Sequence, residues 1–276
     1  MRIKVDHTTV YDYSAPAHGI IQLLRLTPGG GEHQHIRRWR VDVDVDGALR
    51  AGTDPFGNLT QIFTADGAVR RMTLHVAGEV DTRDAAGVVR GFPEPLPFEV
   101  FRRTTALTQP DAAITAFARG IVGATPLDRL HALNGAINDH MAFDADATGT
   151  GTDAATAFSQ ARGVCQDYAQ IFCSAARLLG IPARYVSGHF VRLDDVHAQP
   201  AGHAWVEALV DDLGWVGFDP TNGISVTAAH VRVAVGLDYL DAAPVRGARR
   251  GGGSETLTVS VSAADIAPQS QSQSQG

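Results

Sequence analysis

The stretch Gly163–Pro182, GVCQDYAQIFCSAARLLGIP, decides the fold. After Cys165 the apolar residues Ala169, Phe172, Ala176 and Leu179 recur at helical spacing, and Gly180-Ile181-Pro182 supplies a glycine stop followed by proline. This predicts a helix from about Cys165 to Leu179 whose apolar face also carries the Cys165 thiol. Gly163 permits a sharp entry, so Cys165 falls in the first turn. There the unpaired backbone N–H groups and the positive end of the helix dipole favour a thiolate. Such a cysteine is a candidate nucleophile. The plainer alternative is a buried, inert thiol, and Cys173 in mid-helix is read that way.

Downstream, three runs read as strands: Arg184–Val191, Ala204–Val210 and Trp215–Phe218. The turn Asp211-Asp212-Leu213-Gly214 joins the last two as a hairpin. His203, in Gly202-His203-Ala204-Trp205-Val206-Glu207, and Asp219, in Gly217-Phe218-Asp219-Pro220, then lie at one end of that hairpin. A carboxylate so placed can accept from the imidazole and fix its tautomer, as a Cys–His–Asp triad requires. Alone, Asp219 before Pro220 would read as turn chemistry.

Upstream, residues 1–90 read as β: Ile3, Val5 and His7 alternate with polar neighbours, as do Val41, Val43 and Val45, then Thr73, His75 and Ala77. Turn signals at 28–31, 46–47, 56–58 and 66–67 separate the runs, which suggests an antiparallel sandwich or open barrel. The proline-rich 92–98 falls in a linker, 91–110. Thr125 caps a helix with Pro126 at its first position and Leu127, Leu130, Leu133, Ile137 and Met141 on one face. A loop at 145–153 precedes the cysteine helix. Leu257–Val261 is a last strand, placed with a core of 111–267, and the Gln/Ser tail 268–276 is expected to be disordered. The fold class is α+β.

The chain has 276 residues and a net charge of −7, which speaks against a polyanion partner. Arg246–Arg250, set among glycines, reads as a solvated loop. Two cysteines, too far apart on one helix for a disulfide, give no reason for an oxidising compartment. No apolar leader and no membrane-length run is legible, so a cytoplasmic protein is expected by default. His189, His197 and His203 match no standard zinc spacing. No cofactor or metal is expected.

The runs Gly163–Ala169, Gly180–Gly188, His203–Glu207 and Gly214–Gly223, in this order, resemble the bacterial transglutaminase-like cysteine peptidase family. Tyr11-Asp12-Tyr13, Leu24–Pro28 and Asp54–Asn58 resemble the amino-terminal region that accompanies that core. The resemblance implies a papain-like core and a triad of Cys165, His203 and Asp219. It implies thiol acyl transfer on a peptide or small amide, without fixing hydrolysis or transamidation. The Cys165 N–H is the natural oxyanion donor. Val164, Tyr168, His189 and Trp205 are further candidates for the oxyanion pocket or cleft, although Tyr168 and Trp205 read more simply as core and His189 as a surface strand end. A non-catalytic binding module of the same fold is the competing class.

Overall fold

The structure, a computed structural model, describes residues 1–192, 198–199 and 202–266. His197 and the tail 268–276 lie outside them. The first region holds β1 (Arg2–Leu24), β2 (Gln34–Val43), β3 (Ala48–Thr53), β4 (Leu59–Ala65) and β5 (Val69–Thr82), with a short β6 (Val88–Val89) after them. Then come α1 (Ala112–Gly120), α2 (Pro126–His140), β7 (Ala142–Phe143), α3 (Ala154–Gln160), β8 (Arg162–Gly163) and α4 (Cys165–Leu178). The strands β9 (Ala183–Phe190), β10 (Ala198–Gln199), β11 (His203–Val210), β12 (Gly214–Asp219), β13 (Ile224–Ser225) and β14 (His230–Gly236) follow. The chain closes with α5 (Tyr239–Ala242), β15 (Val245–Gly251) and β16 (Glu255–Asp265). The fold is α+β, as expected. Among the described residues no helix is long and apolar enough to cross a membrane.

β1 organises the first sheet. Its first half pairs antiparallel with β5 and β16, its second half with β4 and β15, and the register shifts between Asp12 and Ala17. Pro16 lies in that gap and donates no ladder hydrogen bond, so the strand bends there and the sheet curls. The alternation at 73–77 is real, but its inward set is the other parity: Met72, Leu74 and Val76 are buried while Thr73, His75 and Ala77 are half-exposed.

Two expectations for the C-terminal part change. The Leu257–Val261 strand exists, but as β16 it pairs with β1, not with the core sheet that 111–267 was expected to contain. Ala263 packs with Ile3 and Val5, so the strand's apolar face belongs to the first sheet. Arg246–Arg250 is not a loop but part of β15, whose backbone hydrogen bonds β1 while its side chains stay largely exposed. Strand propensity here comes from the ladder, not from a buried face.

The second sheet has the order β13-β12-β11-β9-β14, with β6 on β12. Ala204, Val206 and Ala208 of β11 pack with Ala169, Phe172 and Ala176 of α4 in the main core. The alternate residues Trp205 and Glu207 take the opposite face. That face is covered by the first region and the connection. Asn58 donates to and accepts from the backbone of Val235, Gln34 does the same for Arg232, and Phe56 packs against the cluster holding Trp205. The proline-rich connection is docked as well: Glu94 makes two hydrogen bonds, 2.7 and 3.0 Å, with the buried Arg184. Thr125 caps α2 in a reciprocal box with Asp128, as its position before Pro126 implies.

Candidate active site

α4 begins at Cys165. Its start is fixed by Asp167, whose Oδ2 accepts from the Val164 N–H at 2.8 Å and from the Thr148 hydroxyl at 2.6 Å. Asp167 is wholly buried; burial pushes its carboxyl upward, and these hydrogen bonds oppose that. Gly163 is needed for this cap rather than for an unusual backbone angle: a Cβ there would meet Asp167 Oδ2 at 2.4 Å. Cys165 is half-buried, with its helix face on the core. Cys173 is fully buried, and burial pushes its thiol up to about 11.

His203 opens β11 and is 9% exposed. Its Nε2 lies 2.7 Å from Asp219 Oδ2. Asp219 ends β12 with no exposure and accepts five donors. Thr221 N and Asn222 N reach Oδ1 at 3.1 and 3.2 Å. His203 Nε2, Asn222 Nδ2 and His230 Nε2 reach Oδ2 at 2.7, 2.6 and 3.2 Å. The turn role and the imidazole role of Asp219 thus coexist, one on each oxygen.

The electrostatics follow from these contacts. Burial works against charge on His203, but the Asp219 carboxylate, its hydrogen bond and an interaction with Cys165 outweigh it and raise the imidazole to about 10. Burial would likewise raise Asp219, yet His203 and then His230 hold it well below the usual carboxylate range. With Nε2 engaged by Asp219, Nδ1 is the nitrogen left to meet the thiol.

Other candidates fall elsewhere. The Val164 N–H is committed to Asp167 and does not offer itself to an oxyanion. Tyr168 is in the core, its hydroxyl donating to Met141 O at 2.9 Å. His189 is not a surface strand end but is 5% exposed, its ring 5.9 Å from that of His7 and 6.1 Å from Trp39 under the first sheet. Burial first, then His7, lowers it to about 3. Trp205 lies beneath the site, 1% exposed, its ring 6.0 Å from His203 and 5.2 Å from His230. Gly188 opposite His203 makes room for it, since a Cβ there would meet the indole at 2.6 Å.

His230 was not legible as a site residue, because His230–Gly236 gave no strand reading. Its alternation, HVRVAVG, was the available signal. With His203 and Asp219 it places three ligand-type atoms within 4.8 Å. Those atoms already face one another as hydrogen-bond partners, and the His230 Nδ1 accepts from the Thr227 N–H at 3.1 Å, which puts the proton on Nε2. A protonated Nε2 has no lone pair for a metal.

Residues 115–220 match the core model of the transglutaminase-like superfamily, and residues 3–81 match the bacterial transglutaminase-like N-terminal region. The chain belongs to the transglutaminase-like superfamily. Cys165, His203 and Asp219 fall inside the matched core; His230 falls outside it. This transglutaminase-like chain is 28% identical over 273 residues to an uncharacterized protein of Mycobacterium leprae, covering 94% of this chain and 97% of that one. It is 27% identical over 272 residues to an uncharacterized protein of Mycobacterium tuberculosis, covering 89% and 87%. A crystal structure of a candidate cysteine protease from Cytophaga hutchinsonii superposes with a TM-score of 0.77, covering 96% of this chain and 91% of that one at 21% identity, which establishes the shared papain-like fold.

Proposed function

We propose that this chain is a thiol-dependent acyl-transfer enzyme, a cysteine peptidase or amidase acting on a peptide or small amide. One observation carries the reading: His203 is 2.7 Å from the buried Asp219, and Cys165 at the start of α4 lies close enough to His203 to help raise its proton affinity. A helix start and an imidazolium beside it stabilise a thiolate, and Asp219 stabilises the imidazolium. The thiolate attacks the amide carbonyl, and the Cys165 N–H at the helix start receives the developing oxyanion. His203 gives its proton to the leaving amine as the C–N bond breaks, leaving a thioester. Water then adds to the thioester, losing its proton to His203, and the C–S bond breaks to release the acid and restore the thiol pair. Water is always at hand, so hydrolysis is the favoured form of the reading, with transamidation its alternative.

Peptide mapping after iodoacetamide treatment near about pH 6 should find Cys165 modified before Cys173. His203→Ala should slow that modification, and Cys165→Ala should abolish turnover of any amide the enzyme accepts. Release of free acid rather than an amine adduct identifies hydrolysis. Preferential modification of Cys173 would refute the assignment.

A further inference from the structure

The proposed reaction leaves His230 unused. It opens β14, is 2% exposed, and shares Asp219 Oδ2 with His203. The Thr227 N–H donates to its Nδ1 at 3.1 Å. A ring nitrogen that accepts a backbone N–H carries no proton, so the backbone itself fixes His230 as the neutral tautomer that donates from Nε2 to Asp219. Charging the ring would break the Thr227 bond and bury a second cation whose ring centre is 6.1 Å from that of His203. Burial, and the charge of His203, keep its proton affinity below the ordinary value against the pull of Asp219. Among the described residues, His203 from β11 and Asp219 from β12 are the titratable groups acting on it. Phe190 of β9 and Trp205 of β11 stand against it as aromatic rings, 4.6 and 5.2 Å away between centres.

We infer that His230 is a positioning residue acting through Asp219: it orients the carboxylate and takes a share of the charge on Oδ2, and so sets how tightly His203 holds its proton. The inference rests on the Cys165–His203–Asp219 reading above. A buried histidine that only fills space would need neither the donated Thr227 N–H nor the same carboxylate oxygen as His203. A neutral N–H donor competes with His203 for Oδ2. Removing it leaves that oxygen's charge to His203, whose imidazolium then persists to higher pH.

The test compares alkylation of Cys165 by iodoacetate and by iodoacetamide across about pH 4 to 11, with the labelled peptide identified. An imidazolium beside the thiolate favours the anionic reagent, so the ratio of the two rates falls where His203 loses its proton. In His230→Phe, which keeps a ring and loses the donor, the midpoint of that fall should move up by about half a pH unit or more. His230→Asn should do the same. Its amide sits near the Nδ1 position, can still accept from Thr227 and withdraws the donor from Asp219, so it serves if the Phe variant fails to fold. His230→Gln, whose amide nitrogen can stand where Nε2 stood, should bring the midpoint back toward wild type. An unmoved midpoint in folded His230→Phe and His230→Asn, with only thermal stability changed, overturns the inference and leaves the triad standing. A wild-type ratio that does not fall, or one that His203→Ala leaves intact, overturns the triad and this inference with it.

Discussion

Asp219 and Glu207 are both wholly buried carboxylates on the same hairpin, and both are held ionised below the usual range, yet the partners that hold them differ in kind. Burial raises each. Against it stand His203 and His230 at Asp219, and Arg232 and Arg184 at Glu207. Arg184 Nε lies 2.6 Å from Glu207 Oε2, and Arg232 Nε lies 2.8 Å from Oε1. The arginines stack on aromatic rings, Arg184 4.0 Å over Trp215 and Arg232 4.2 Å over Phe92. Guanidinium groups keep their protons under all ordinary conditions, so the Glu207 cluster is fixed charge. Imidazoles exchange protons, so the Asp219 cluster can do acid–base chemistry. Trp205 and Glu207 lie along one face of β11, and the Trp205 indole sits between the two clusters. Burial and a depressed carboxylate do not distinguish a site from a structural clamp; the proton affinity of the partners does.

The largest effect expected from this contrast is on stability. Glu207→Gln removes the charge that faces two buried arginines, and Arg184 keeps Glu94 while Arg232 loses its carboxylate. Breaking a buried pair from one side costs about 3–5 kcal/mol, read as a lower denaturation midpoint. The rate of Cys165 alkylation in the folded fraction should stay within about twofold of wild type, since the cluster is fixed charge and touches no reacting atom. A parallel loss of thiol reactivity would break the distinction drawn between the clusters.

Asp219→Asn tests the other side. Asn can keep an oxygen for the Thr221 and Asn222 N–H groups, so the turn survives. Its NH₂ then replaces Oδ2 and confronts His203, His230 and Asn222, all donors to that position. His203 is pushed toward the wrong tautomer. Turnover should fall on the order of 10- to 10³-fold, less than in a serine triad because a preformed thiolate–imidazolium pair leans less on the acid. Melting temperature, measured on the same preparation, should fall less than for Glu207→Gln. Unchanged turnover would remove Asp219 from the proposed machinery.

The helix, the hairpin and the meeting of His203 with Asp219 at its end were legible because each rests on local pattern: 3.6-residue spacing, a glycine–proline stop, a tight turn. What escaped the sequence depends on partners remote along the chain. β16 looks like any exposed strand until β1 is beside it, and the arginines of β15 hide a strand whose ladder is supplied from residues 17–24. His189 sits at a strand end, which suggests solvent, but the first sheet covers it. His230 could be found only by reading the alternation of β14 and knowing that this strand lies against β9. The Glu207 clamp joins Glu94, Arg184 and Arg232, separated by up to 138 positions in the sequence, and no spacing rule reaches that far.

The smallest effect is also the one that separates the clusters by sign. His203 is raised from 6.5 to about 10, so between these values the native state keeps a proton that the unfolded chain gives up. Its contribution is present in full below about pH 6.5 and is lost as pH rises toward 10, with a slope of at most about 1.4 kcal/mol per pH unit. The Glu207 clamp is expected to add no alkaline slope in this range, because a guanidinium is a fixed charge under ordinary conditions. On the acid side the signs reverse. Burial lowers His7 to about 4 and His189 to about 3, so below pH 6.5 the unfolded chain binds protons that the native state refuses, and stability falls. The depressed Asp219 and Glu207 add to that loss further into acid. Urea titrations across this range should therefore show maximal stability near about pH 6.5, flanked by losses of different origin. His203→Ala should flatten the alkaline flank, whereas Glu207→Gln should lower the whole curve and leave that flank's slope in place. If His203→Ala keeps the wild-type alkaline slope, the Asp219 cluster holds no exchangeable charge there, and the difference between the two carboxylates disappears.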